Sequence, residues 1–233
     1  MLVPLLTPAM IGAALLTPAT LPDPAVAVPP RAHPAARSEG AVAAGDLLAR
    51  LGACRRISHG RYRTDAGSPA TVPVCDTRDA VFWQADLDVD CDGRPTARCN
   101  RRTDPQFAAT TACQQSDGRQ LNAAALPYIV VPAPSRIWNP GAHGVRGGSV
   151  AAVIYQDRVQ YAVVGDTGPR DIIGEASYAT ARGLGIGADP RVGGTPSGVT
   201  YVVFKHSRVA PIQDHAAAVA AGTRLARLFV ANR

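Results

Sequence analysis

Five short runs rich in β-branched and aromatic residues set the strongest limit on what this chain can fold into. They are 81–88 (VFWQADLD), 128–132 (YIVVP), 150–155 (VAAVIY), 159–165 (VQYAVVG) and 199–204 (VTYVVF). Each has strand length and is bounded by turn signals. With 22 Gly and 20 Pro in 233 residues the chain is rich in turns, which disfavours a helical bundle. Asp157-Arg158, between the third and fourth runs, predicts a tight hairpin. Helical patterning is confined to three places: a short segment at 45–55, the stretch 175–184 closed by Gly185, and 211–230. The last is amphipathic through Ile212, Ala216, Val219, Leu225 and Leu228. One mainly β domain over 45–233 follows. No run of about 18 uninterrupted apolar residues occurs beyond the N-terminus, which excludes a multi-spanning helical membrane protein.

The N-terminus reads as an address. Residues 2–22 carry no charge, and Ala25-Val26-Ala27 offers a small-residue cleavage site. The stretch resembles a secretory signal peptide without its basic start, and 1–27 is assigned to it. Eight prolines in the first 40 residues oppose a stable helix there. Residues 28–44 read as a Pro/Ala-rich linker. Cysteine usage agrees with export. Cys54, Cys75, Cys91, Cys99 and Cys113 form no CxxC pair and lack zinc-ligand spacing with the histidines, so no metal centre is expected from them. An oxidising compartment would pair four of the five. Cys91 with Cys99, closing a short loop after a run of aspartates, is the first pairing expected.

Charge is distributed unevenly by type. The formal net charge is +6, and Lys205 is the only lysine among 24 basic residues. The arginines are scattered in runs of at most two, without interleaved aromatics, so no nucleic-acid partner is expected. Of 18 acidic residues only Glu39 and Glu175 are glutamate, and Glu39 falls in the linker.

Two acidic groupings can carry chemistry. In Asp86-Leu87-Asp88-Val89-Asp90-Cys91-Asp92-Gly93 four carboxylates alternate. Alternate residues of a strand share a face, and like charges that close need a cation nearby. Arginine, a metal or a cationic ligand could serve, and a solvated turn is the plain alternative. Asp88, Asp90, Asp92 and Gly93 match the first positions of an EF-hand loop, but position twelve is Cys99 rather than Glu. The second grouping is Gly165-Asp166-Thr167-Gly168-Pro169 followed by Ile173-Gly174-Glu175-Ala176-Ser177. A strand end, a turn and a helix start would bring Asp166 and Glu175 together. Paired carboxylates suit glycoside hydrolysis, one protonating the leaving oxygen and the other activating water or attacking carbon. On spacing alone, a turn aspartate and a carboxylate favoured by the helix dipole remain an equal reading.

The blocks FWQADLDVDCDGRPTARCN, LPYIVVP, AAVIY, YAVVGDTGP, IIGEASYA and SGVTYVVF, in that order, resemble the fungal-type chitosanases of glycoside hydrolase family 75, especially secreted bacterial members. The resemblance implies endo-hydrolysis of the β-1,4 linkages of chitosan with inversion at the anomeric carbon. Its essential acidic pair carries over onto Asp166 and Glu175. VVGDTGP with IIGEASYATARGLG also resembles double-psi β-barrels of lytic transglycosylase-like, expansin-like and endoglucanase proteins. That implies a six-stranded double-psi β-barrel-like domain with a groove across it and Glu175 as the acid. It keeps Asp88 as an alternative base to Asp166.

The expectation is therefore a secreted, monomeric chitosanase. It would use Glu175 and Asp166 for catalysis and Asp86, Asp88, Asp90 and Asp92 to hold ammonium groups of a polysaccharide substrate. It would need no cofactor or metal, and no membrane once the leader is removed. Trp83, Tyr128 and Trp138 are candidates to stack on a sugar, though each reads more readily as core or rim. The rival readings are a non-catalytic expansin-like binder of polysaccharide or peptidoglycan and a calcium-stabilised cell-wall domain.

Overall fold

A computed structural model describes residues 39–232; the expected leader and most of the linker lie outside them. The chain opens with helix α1 (Ala44–Leu51), followed by β1 (Arg55–Arg56), β2 (Cys75–Asp76), β3 (Ala80–Asp90), β4 (Tyr128–Pro132), β5 (Val150–Tyr155) and β6 (Arg158–Gly168). Then come β7 (Glu175–Ser177), α2 (Tyr178–Gly183), β8 (Thr195–Phe204) and α3 (His215–Ala231). Six strands close on themselves in the order β3-β7-β4-β6-β5-β8 and back to β3. The pairs β3–β7 and β4–β6 are parallel, and the other four pairs are antiparallel. Closure removes free edges from the sheet, and β1 and β2 cap the start of β3.

Period-two alternation explains why the five runs form this barrel. One buried cluster takes Val81, Trp83, Ala85 and Leu87 from β3, Ile129 and Val131 from β4, and Val199, Tyr201 and Val203 from β8. Ala151, Ala162 and Ala176 belong to it as well, small residues that let the walls of a narrow barrel approach. The alternate residues Phe82, Ile154, Tyr161, Val163, Val202 and Phe204 point the other way, under Leu47 of α1 and Ala218, Ala226 and Phe229 of α3. Strands buried on both faces read as near-continuous apolar runs, as these do. The mainly β, six-stranded barrel expected above is the fold observed.

Boundaries shifted where tertiary pairing overrode local pattern. The hairpin loop is Gln156-Asp157, one residue earlier than expected, because Arg158 already pairs with Tyr155 and Gln156 takes a positive φ of 56°. The first helix ends at Leu51, before Gly52 and a Cys54–Cys75 disulfide. The last helix starts at His215, where the Asp214 side chain accepts the Ala217 N–H at 2.9 Å. Among the described residues Cys91 and Cys99 form the other disulfide, as expected, and Cys113 is a free, half-buried thiol. No described helix is long and apolar enough to cross a membrane.

Candidate active site

The most consequential difference concerns Glu175. It does not open a helix. Ser177 caps α2, its hydroxyl accepting the Thr180 N–H, and 175–177 is a short strand instead. This strand runs parallel to the end of β3, with Asp88 opposite Glu175, Val89 opposite Ala176 and Asp90 opposite Ser177. Opposed residues on neighbouring strands share a face at about 4.8 Å. The helix dipole that would have held Glu175 ionised therefore has little part in its chemistry.

Asp166 also sits on a strand rather than in a turn, since β6 continues to Gly168. Its Oδ1 accepts two backbone N–H groups, from Ala112 and Thr167, each at 2.7 Å. Gly168, two residues on, lies on the same face of β6. A Cβ there would stand 2.7 Å from Oε2 of Glu175. The glycine of the GDTG block thus makes room for the Glu175 carboxyl, which reaches over β4 toward β6.

The two strand ends and the segment after β3 enclose a groove of about 800 Å³. Six carboxylates line it: Asp88, Asp90, Asp92, Asp104, Asp166 and Glu175. Arg191 is the single basic residue of the lining, and its guanidinium donates to the carbonyl of Arg102. Asp90 Oδ1 accepts the Asp92 N–H at 2.6 Å, and Asp92 Oδ1 accepts the Ala108 N–H at 2.7 Å. The Tyr128 hydroxyl donates to the Asp92 carbonyl, fixing the chain where it leaves β3. Among the described residues no hydrogen bond holds the Glu175 carboxyl.

Burial and crowding act in the same direction here. Burial, then Asp88, Asp92 and Asp166, push the Glu175 carboxyl up to about 7. Burial raises Asp92 to about 6 against the pull of its Ala108 hydrogen bond. Asp88 and Asp166 are raised by burial, and Asp90 is raised well above the usual range by the same cause. The two N–H bonds on Asp166 oppose its rise. Glu175 is thus the groove carboxyl that can still carry a proton near neutral pH with no hydrogen bond to another described residue.

Not every expected residue reaches the groove. Asp86 is 3% exposed and is absent from the lining, so it cannot meet a sugar there. It shares a face of β3 with Asp88 and Asp90, but it lies beneath Gly174 rather than in the opening. Trp83, Trp138 and Tyr128 are core residues; Trp83 stacks on Tyr201 at 5.2 Å and is 1% exposed. The EF-hand alternative fails because Cys99 is disulfide-bonded and the loop follows a strand. Asp104 is the groove carboxylate that sequence reasoning missed, and Gln106 and Arg191 of the lining were not foreseen either. Asp104 lies in a turn with Oδ1 accepting the Gln106 N–H at 2.8 Å, and no periodic pattern marks it.

These raised carboxyls make stability pH-dependent. Each binds its proton more tightly in the folded chain than in the unfolded one, where carboxyls titrate near about 4. Their contribution is fully present below that value and is lost as pH rises through about 6 for Asp92 and about 7 for Glu175. Chelator-treated protein is expected to melt at a higher temperature at pH 5 than at pH 7.5 by scanning calorimetry. An equal or higher Tm at pH 7.5 would remove this account of the groove.

Comparison with known proteins bears on the same stretch. The chain is 32% identical over 156 residues to endo-chitosanase C of Aspergillus oryzae, covering 63% of this chain and 38% of that protein. It is 29% identical over 144 residues to an endo-chitosanase of Aspergillus fumigatus, covering 56% of this chain and 60% of that one. The chain thus spans less than two thirds of the length of these curated relatives. A family model described as fungal chitosanase of glycosyl hydrolase group 75 matches residues 87–226, from the acidic end of β3 into α3. Since that match takes in all six groove carboxylates and more than half of the chain, this protein belongs to glycosyl hydrolase group 75.

Proposed function

We propose that this chain is a secreted, inverting endo-chitosanase in which Glu175 is the general acid and Asp166 the general base. The observation that carries the reading is a groove lined by six carboxylates on a protein of net charge +6, with one carboxyl raised to about 7. Chitosan is a polymer of glucosamine whose ammonium groups need an acidic track. Asp88, Asp90 and Asp92 supply that track along one side of the groove, where ion pairing and hydrogen bonds position successive sugars. Protonated Glu175 donates to the glycosidic oxygen as the bond to the anomeric carbon breaks. Asp166 takes a proton from the water whose oxygen attacks that carbon from the opposite face.

Geometry favours Asp166 over Asp88 as the base. Residues two apart on one strand face lie about 6.6 Å apart. With Glu175 seated over Gly168, that step leaves Asp166 near the separation of about 6.5–9.5 Å that admits a water. Asp88, one strand away from Glu175, stands nearer the closer spacing of retaining enzymes. Asp166 is also held by two N–H bonds to Oδ1, leaving Oδ2 free to take a proton. Two disulfides suit the oxidising compartment of an exported protein.

The test is release of reducing ends from chitosan by the purified chain, with the anomer of the first product read by NMR. Inversion gives the α anomer first. Added salt screens the ammonium contacts, so KM should rise several-fold between low and about 0.5 M NaCl. Binding without new reducing ends would identify a non-catalytic polysaccharide binder, and a β anomer formed first would return Asp88 to the mechanism.

A further inference from the structure

Beside the groove, and sharing Asp88 with it, a second acidic cluster forms on the outer face of β3. Asp86 and Asp88 point to the same side of the strand, and Asp65 comes to them from the turn at 64–68. One carboxylate oxygen from each of the three lies within 4.8 Å of the other two. Charge repulsion alone makes such a cluster costly, but the position of Asp86 says more. Asp86 is 97% buried by its 3% exposure, and its Oδ1 has no hydrogen-bond partner. A buried carboxylate oxygen with nothing to bond is among the costlier features a fold can hold. Gly174 keeps the space for it, because a Cβ at that position would collide with Oδ1.

Among the described residues no ion pair answers this charge. Arg63, two residues before Asp65, donates to the Ser68 carbonyl and faces Asp171 at 3.8 Å. The donors that converge are all carboxylate oxygens, with no histidine or thiolate, which is the chemistry of a hard cation. Asp65 and Asp88 are exposed, so an ion has a path in and water can fill its remaining coordination. A flexible mixture of carboxylates and water suits calcium better than magnesium, which demands a near-ideal octahedron.

We infer that Asp65, Asp86 and Asp88 bind a divalent cation of the calcium class, bridging the 64–68 turn to the outer face of β3. The ion gives the buried Asp86 carboxylate, which keeps one oxygen without a hydrogen bond, a countercharge, and it ties the turn to the strand that carries the groove. Because β3 and β7 pair at Asp88 and Glu175, the ion also stiffens one wall of the groove. Asp88 belongs to both places, whereas Asp65 and Asp86 lie outside the groove lining, so cation binding can be read apart from hydrolysis.

The experiment therefore uses the metal alone and reads no hydrolysis. The full chain is stripped with EDTA, dialysed free of chelator, and titrated with CaCl₂ by calorimetry while Tm is followed in parallel. A free ion at about a hundredfold excess over its Kd should raise Tm by about 5–10 °C in a chain of this size. Magnesium should give a smaller rise. Asp65→Asn and Asp86→Asn should each weaken calcium binding by tenfold or more and abolish the rise. Asp65 is exposed, so Asp65→Asn decides the matter if the buried Asp86 variant fails to fold. No calcium-dependent rise, or a rise that Asp65→Asn keeps in full, overturns the site.

Discussion

Glu175→Gln is expected to fold normally and to lose chitosan hydrolysis by about 10²- to 10⁴-fold, the usual worth of a positioned proton donor. The amide matches the carboxyl in size and fits over Gly168, where the Glu175 carboxyl now sits. It cannot deliver a proton to the leaving oxygen. The structure adds a second expectation, for stability. Glu175 is buried beside Asp88, Asp92 and Asp166, each of which opposes its ionisation. Replacing it by a neutral group removes that repulsion, so Tm at pH 7.5 should stay level or rise. Chitosan binding should survive, since Asp88, Asp90 and Asp92 remain. Reducing-end assays and calorimetry on one preparation check both halves. More than about a tenth of the original rate would take Glu175 out of the mechanism. A fall in Tm would mean that the carboxyl supports the fold, and the loss of activity would then need another explanation.

Asp166→Asn should cost a comparable factor, and its pattern separates a base from a binding residue. The asparagine Oδ1 can still accept the N–H groups of Ala112 and Thr167, so the loop and strand keep their connection. That fixes the amide nitrogen where Oδ2 stood, toward the groove, and leaves nothing there to take a proton from water. The expectation is a fall in kcat of about 10²-fold or more with KM nearly unchanged. Asp88→Asn should do the reverse, raising KM several-fold through a lost ammonium contact while kcat falls far less. If the two patterns are exchanged, Asp88 is the base and Asp166 a structural anchor for residues 111–113. Measuring kcat and KM for both variants at low salt distinguishes these outcomes.

The fold was legible where burial imposes a period. Runs such as 150–155 and 199–204 are apolar on both faces because the barrel interior and the helices α1 and α3 cover them from opposite sides. Their bounds at β4 and β5 agree with the runs themselves. The strands β1, β2 and β7 have two or three residues each, too few to show any period. Their existence depends on the partner strand alone. Residues 175–184 look helical because YATARG is helical, and only pairing with β3 draws Glu175, Ala176 and Ser177 out of that pattern.

The acidic site divides in the same way. Local sequence by itself determined that carboxylates would be concentrated at the end of one strand and after another, that Cys91 and Cys99 could close the loop between them, and that strands would dominate. Only the tertiary structure decided which carboxylates meet. Asp88 and Glu175 are 87 positions apart and become neighbours through one parallel register. Asp104 enters from a turn that no pattern marks. Asp86, indistinguishable from its neighbours in the alternating run, is buried beside Asp65 instead of facing the groove. The reason is physical. Alternation along a strand assigns a face, but whether that face opens to solvent, a groove or a neighbouring turn is set by what packs over it, and those residues are distant in sequence.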